Sequence, residues 1–87
     1  MTTQQQLDAL KKTGMVFFDE SSFASENDIP QLGSCGVIRS LRFRPDGHFS
    51  CYLESDGFFF RVDDDDLTDN EKRFVVEEAY AFRFGLQ

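Results

Sequence analysis

The sequence predicts an α+β fold in which a three-stranded antiparallel meander is followed by a capped helix. Three observations carry that expectation: a Pro45-Asp46-Gly47 turn, an Asp56-Gly57 turn, and the side-chain alternation of the runs that flank them. At the first turn Pro45 presets one backbone angle, and Gly47 can take the positive φ that closes a type I turn with a G1 bulge. Arg44 then pairs with His48, which sets Phe43 opposite Phe49, Leu41 opposite Cys51 and Arg39 opposite Leu53. A two-residue turn would oppose Phe49 with Arg44 and scatter the apolar residues over both faces, which a half-buried sheet does not tolerate. At Asp56-Gly57 the same test selects a two-residue type I′ turn that pairs Ser55 with Phe58, Leu53 with Phe60 and Cys51 with Val62. Strands are expected over 36–44, 48–55 and 58–63.

This register divides the meander into two faces. The expected inner face holds Leu41, Phe43, Phe49, Cys51, Leu53, Phe58, Phe60 and Val62. The expected outer face holds Ile38, Ser40, Arg42, Arg44, His48, Ser50, Tyr52, Glu54, Phe59, Arg61 and Asp63.

Before the meander, Thr3-x-x-Gln6 fits a capping box, with Leu7 and Leu10 on one stripe, Lys11 and Lys12 in the last turn and Gly14 as a stop. A helix over 3–13 is expected, too short to stand alone in water and so required to dock. Met15 to Asp19 is a short apolar run suited to a strand. Residues 20–35 have no clean period and read as a loop, functional by its length, or as concealing a short helix near Phe23.

After the meander, Thr68-x-x-Glu71 is a second capping box, and the preceding aspartates complement the positive end of a helix dipole. A helix over 69–84 is expected, its stripe of Phe74, Val75, Glu78, Ala79 and Phe82 turned to the sheet. Val76, Tyr80 and Phe84 extend the apolar surface beyond what a small sheet needs, so another element or a partner must cover them. The alternation of Tyr80, Phe82, Phe84 and Leu86 also permits a strand beginning near Ala79.

The 87 residues contain no linker rich in Pro, Gly or Ser between two hydrophobic blocks, so 1–87 is expected to be a single domain. A fold of this size buries only about 60% of its unfolded surface. The eleven phenylalanines suit a core built from few large side chains. No apolar stretch approaches the roughly 20 residues that span a bilayer, and no leader pattern opens the sequence. The expected setting is the cytoplasm, with Cys35 and Cys51 as reduced thiols and no membrane partner.

A net charge of −7 disfavours direct binding to duplex phosphates. The acid is at the ends: residues 1–38 hold two cations against five acids, 39–61 four against three, and 62–87 three against eight. The four consecutive aspartates do not fit an EF-hand loop, which needs alternating ligands, Gly at position six and Glu at twelve, so neither metal nor cofactor is expected. His48, the one histidine, adjoins a turn, and nothing in the spacing brings it to a nucleophile, so no enzymatic activity is expected.

What remains is surface. Asp63, Asp64, Asp65, Asp66, Asp69, Glu71, Glu77 and Glu78 are expected to form an anionic ridge. Such a ridge would occupy a basic surface, nucleic-acid-binding in one version, on a larger protein partner, as small inhibitors and regulators of viral and mobile-element origin do at the level of class analogy. A second reading is a homo-oligomeric structural or assembly protein, a homodimer for instance, joined through Val76, Tyr80 and Phe84 or through an open sheet edge. A third is single-stranded nucleic-acid binding through Arg42, Arg44, Tyr52, Phe59 and Arg61. That face has a bland account too, since Tyr52 opposite Arg61 allows a cation-π contact within the sheet.

Overall fold

The computed structural model describes residues 1–18, 23–24 and 36–85. Helix α1 (Thr3–Lys11) leads into β1 (Val16–Phe17), β2 (Phe23–Ala24) and the meander β3 (Gly36–Phe43), β4 (Phe49–Ser55) and β5 (Phe58–Asp63). A single 3-10 turn at Asp64–Asp66 then joins β5 to helix α2 (Asp69–Phe84). The sheet runs β1-β3-β4-β5, with β2 also paired to β3, and every pairing is antiparallel.

Both hairpins form as turn chemistry requires. The Arg44 N–H donates to the His48 carbonyl at 2.8 Å and Gly47 takes φ +88°, the G1-bulged turn that sets Phe43 opposite Phe49 and Leu41 opposite Cys51. Asp56 and Gly57 take φ +52° and +81°, and Ser55, Leu53 and Cys51 face Phe58, Phe60 and Val62.

Beyond Ser40 the register departs from simple alternation. A β-bulge between Ile38 and Ser40 sets Ile38, not Arg39, opposite Leu53. Ile38 thereby moves from the expected outer face into the core, where it is fully buried. Arg39 is left over and donates through Nε to Glu54 Oε1 at 2.8 Å. Burying an isoleucine is worth about 1.5–3 kcal/mol, ample to offset the ladder bonds lost at a bulge.

The core lies between the inner sheet face and the two helices. Leu41, Phe49, Cys51, Leu53 and Val62 meet Leu7 and Leu10 of α1 and Val75, Val76 and Ala79 of α2 in one buried cluster. Helix α1 packs against α2, and this contact corrects the reading of Val76 as a spare apolar flank, because Val76 is fully buried. Phe58 is a second correction: the inner face is not covered out to the tip of the β4–β5 hairpin, and this ring is 75% exposed.

Both helices are capped by reciprocal boxes. Thr68 and Glu71 close the start of α2, and Gly85 in the left-handed region (φ +70°) ends it after Phe84, so the strand near Ala79 does not form. At α1 the cap is Thr2 with Gln5, one residue earlier than Thr3 with Gln6, and the helix stops at Lys11 rather than 13. Within 20–35, Phe23–Ala24 forms a strand beside Gly36 and Val37 instead of loop or helix. The rest of that segment, Asp19 of the expected 15–19 strand, Cys35 and residues 86–87 lie outside the described residues.

Candidate functional site

The aspartate run is built into the sheet before any of it reaches solvent. Asp63 ends β5 opposite Ser50, whose hydroxyl donates to it at 2.7 Å, and Arg61 Nε and an Arg44 nitrogen lie 3.2 and 3.6 Å from the same carboxylate. Asp64, next along, keeps only 7% of its side chain exposed. In the alternation set by the Arg44–His48 bond, the Phe49 N–H points to the β5 side, where the strand has just ended. The Asp64 carboxylate takes that N–H at 3.1 Å and so supplies the missing ladder acceptor. His48 Nδ1 approaches the same carboxylate at 3.0 Å and an Arg44 nitrogen lies at 3.8 Å, so buried negative charge is met by a backbone dipole and nearby cationic or donor groups.

Asp65 is mostly exposed, with its carboxylate 3.4 Å from His48 Nδ1. The His48–Asp64–Asp65 grouping is not apparent from spacing, yet it follows from the register, since Asp64 continues the line that sets Asp63 opposite Ser50 and so falls beside Phe49 and His48. Donor atoms of these three residues lie within 4.8 Å of one another, a spacing that can close around a cation. Arg44 already brings positive charge to Asp64, and the Phe49 N–H occupies one of its oxygens. The contacts of Asp64 with Phe49, His48 and Arg44 pin the 3-10 turn to β4.

The other protic groups nearby are committed elsewhere. Ser50 spends its hydroxyl on Asp63, and burial pushes the Cys51 thiol up from 9.0 to about 12. Asp46, in the first hairpin turn, is held below its ordinary 3.8 chiefly by the His48 backbone N–H, which donates to it at 3.0 Å.

Of the remaining ridge residues, Glu71 is buried as the reciprocal cap of α2, accepting the Thr68 N–H at 2.7 Å. Glu78 is half-buried, while Asp66, Asp69 and Glu77 are exposed. What faces solvent is thus a shorter anionic rim of Asp65, Asp66 and Asp69 from the turn into α2, with Glu77 two helical turns on. On the expected apolar flank, Tyr80 is half-buried against Phe84 with ring centroids 4.6 Å apart.

On the sheet's outer face Tyr52 does stand opposite Arg61, but the guanidinium over its ring is that of Arg42, 5.2 Å from the centroid. Arg61 turns to Asp63 instead, and Arg44 is drawn into the acid network. Phe59 is 73% exposed, and with Phe58 it forms the most exposed aromatic pair among the described residues.

No protein-family model, curated protein or solved structure matches this chain.

Proposed function

We propose that the chain is a non-enzymatic protein-binding module, an inhibitor or regulator that sets its anionic rim on a basic surface of a larger partner. The observation that supports this reading most is the division of labour within the aspartate run. Asp63 and Asp64 are consumed in holding the turn, and their fixation presents Asp65, Asp66 and Asp69 outward on a rigid support. A turn already held in place loses little backbone freedom on docking, and an overall charge of −7 speeds encounter with a basic surface. A groove that ordinarily takes nucleic acid is the version in which such a rim would compete best, by standing where phosphates stand.

The test is capture of partners from a lysate of the source organism, with nuclease present, on the wild-type chain and on an Asp65→Lys, Asp66→Lys, Asp69→Lys chain. The expected result is a captured protein that the triple variant loses, with unchanged far-ultraviolet dichroism. Capture that survives the reversal removes the reading. Asp64 is kept in this design because Asp64→Ala would strand the Phe49 N–H and is expected to cost about 2–4 kcal/mol of stability by itself.

A further inference from the structure

We propose that the free edge of β5 is a self-association surface on which a second copy of this chain pairs antiparallel, with Phe60 facing the partner's Phe60 across the twofold axis. In the order β1-β3-β4-β5 the strand β5 ends the sheet, and among the described residues no strand lies beyond it. Phe58 and Phe59, both on this strand, are 75% and 73% exposed. An open edge flanked by bare aromatic rings is the arrangement that monomeric sheets avoid.

Backbone alternation says which groups of β5 are on offer. In a two-residue hairpin the residues flanking the turn, Ser55 and Phe58, form a hydrogen-bonded pair, so Phe58, Phe60 and Val62 direct N–H and C=O toward β4. The first hairpin gives the same parity, since the Arg44–His48 bond assigns Ser50 and Tyr52 to β3 and leaves Cys51, Leu53 and Ser55 for β5. Phe59, Arg61 and Asp63 therefore direct their backbone groups outward.

A twofold pairing must match outward residues with outward residues and keep each face on its own side. Two such registers overlap five of the six residues of β5. One sets Arg61 against the partner's Arg61, and like charges directly opposite are destabilising. The other sets Phe59 against the partner's Arg61, and the reverse, which places a guanidinium beside each exposed ring. On the inner face this second register sets Phe58 against the partner's Val62 at both ends and Phe60 against Phe60 at the axis. Every exposed ring of the edge gains an apolar or cationic neighbour, so the strand is complementary to itself in this register. The cost falls at the ends, where Asp56 approaches the partner's Asp64. The inference is independent of the anionic rim, which lies beyond the end of the paired segment.

Sedimentation velocity on the wild-type chain from micromolar to about 1 mM is expected to show a concentration-dependent dimer. Phe59→Lys and Phe58→Ser alter exposed side chains, and each is expected to weaken association by roughly 10-fold or more with the dichroism unchanged. The register is read by disulfide trapping in a Cys35→Ser background, where buried Cys51 is out of reach. Residue 60 faces itself as a non-hydrogen-bonded pair, about 4.5 Å between Cα atoms and within disulfide range. Phe60→Cys is therefore expected to cross-link under mild oxidation and Arg61→Cys is not. A wild-type chain that stays monomeric to 1 mM overturns the proposal and leaves the edge to an extended segment of some other protein. Association unmoved by both phenylalanine variants, or trapping through Arg61→Cys in place of Phe60→Cys, overturns it as well.

Discussion

Asp64 and Asp65 are adjacent and chemically identical, yet they do different things because one faces a backbone N–H and the other faces water. A buried carboxylate is costly unless its oxygens are engaged, and Asp64 is engaged by Phe49, His48 and Arg44 together. Asp65, mostly exposed, has a contact with His48 worth at most about 1 kcal/mol. The same contrast of burial and exposure makes Cys51 a titration probe of the core. Its thiol is raised from 9.0 to about 12 by desolvation, so between those values the unfolded chain gives up the proton while the folded chain keeps it. The unfolded state then binds fewer protons, so this contribution to stability is intact below pH 9 and falls as pH rises. By pH 10 the loss is expected to be about 1.4 kcal/mol. Urea unfolding at pH 8 and pH 10 reads it as the difference between wild type and Cys51→Ala, whose own packing loss is the same at both. Equal pH dependence of the two proteins would show that the thiol is not desolvated.

At the scale of elements, legibility tracks how local the deciding chemistry is. Both hairpin registers near their turns and the start of α2 were readable because Pro45, Gly47, Asp56, Gly57, Thr68 and Glu71 act on neighbours within a few residues. The alternation after Ala79 left the end of α2 open between helix and strand, and Gly85 in the left-handed region decides for helix. The box at α1 was ambiguous for an equally local reason: in Thr-Thr-Gln-Gln-Gln both Thr2 with Gln5 and Thr3 with Gln6 satisfy the pattern. The bulge at Arg39 was not readable, because counting by twos from the turn cannot register an added residue whose benefit, burial of Ile38, is tertiary. The strand at Phe23–Ala24 is likewise settled by its partners Val37 and Gly36 rather than by its own two residues. In the site, the acid run was visible as composition, but the burial of Asp64 and Glu71 depends on what packs over them. Glu71 makes the α2 cap a stringent test of this element. Thr68→Ala removes the acceptor for the Glu71 N–H and loosens a carboxylate that is only 5% exposed. The expected cost is about 1–2 kcal/mol, the upper part of the range for such caps, with the denaturant m-value unchanged. A loss no larger than that of an exposed helix substitution would mean that the box does not hold this helix start.

For the whole molecule the governing quantity is a charge of −7 on a body whose principal extents are 32 × 27 × 20 Å. The ion pairs within it, such as Arg61–Asp63 at 3.2 Å and Arg39–Glu54 at 2.8 Å, are far shorter than any screening length near physiological salt. Repulsion among the excess acids acts over longer distances than these pairs, and the Debye length falls from about 30 Å at 0.01 M to about 8 Å at 0.15 M. Salt therefore removes the repulsion before it touches the attraction, and the melting temperature is expected to rise across that range; a fall would mean that the short pairs dominate. The same reasoning gives the two proposed surfaces opposite signs. Pairing of β5 edges brings two copies of −7 together and sets Asp56 near the partner's Asp64, so dimer formation should tighten as salt is added. Docking of the Asp65–Asp66–Asp69 rim on a basic partner draws on attraction between unlike fields and should weaken over the same range. Sedimentation and partner capture repeated at both salt concentrations separate the two surfaces, because an interaction carried by the rim cannot strengthen with salt and one carried by the apolar edge of so acidic a chain should not weaken.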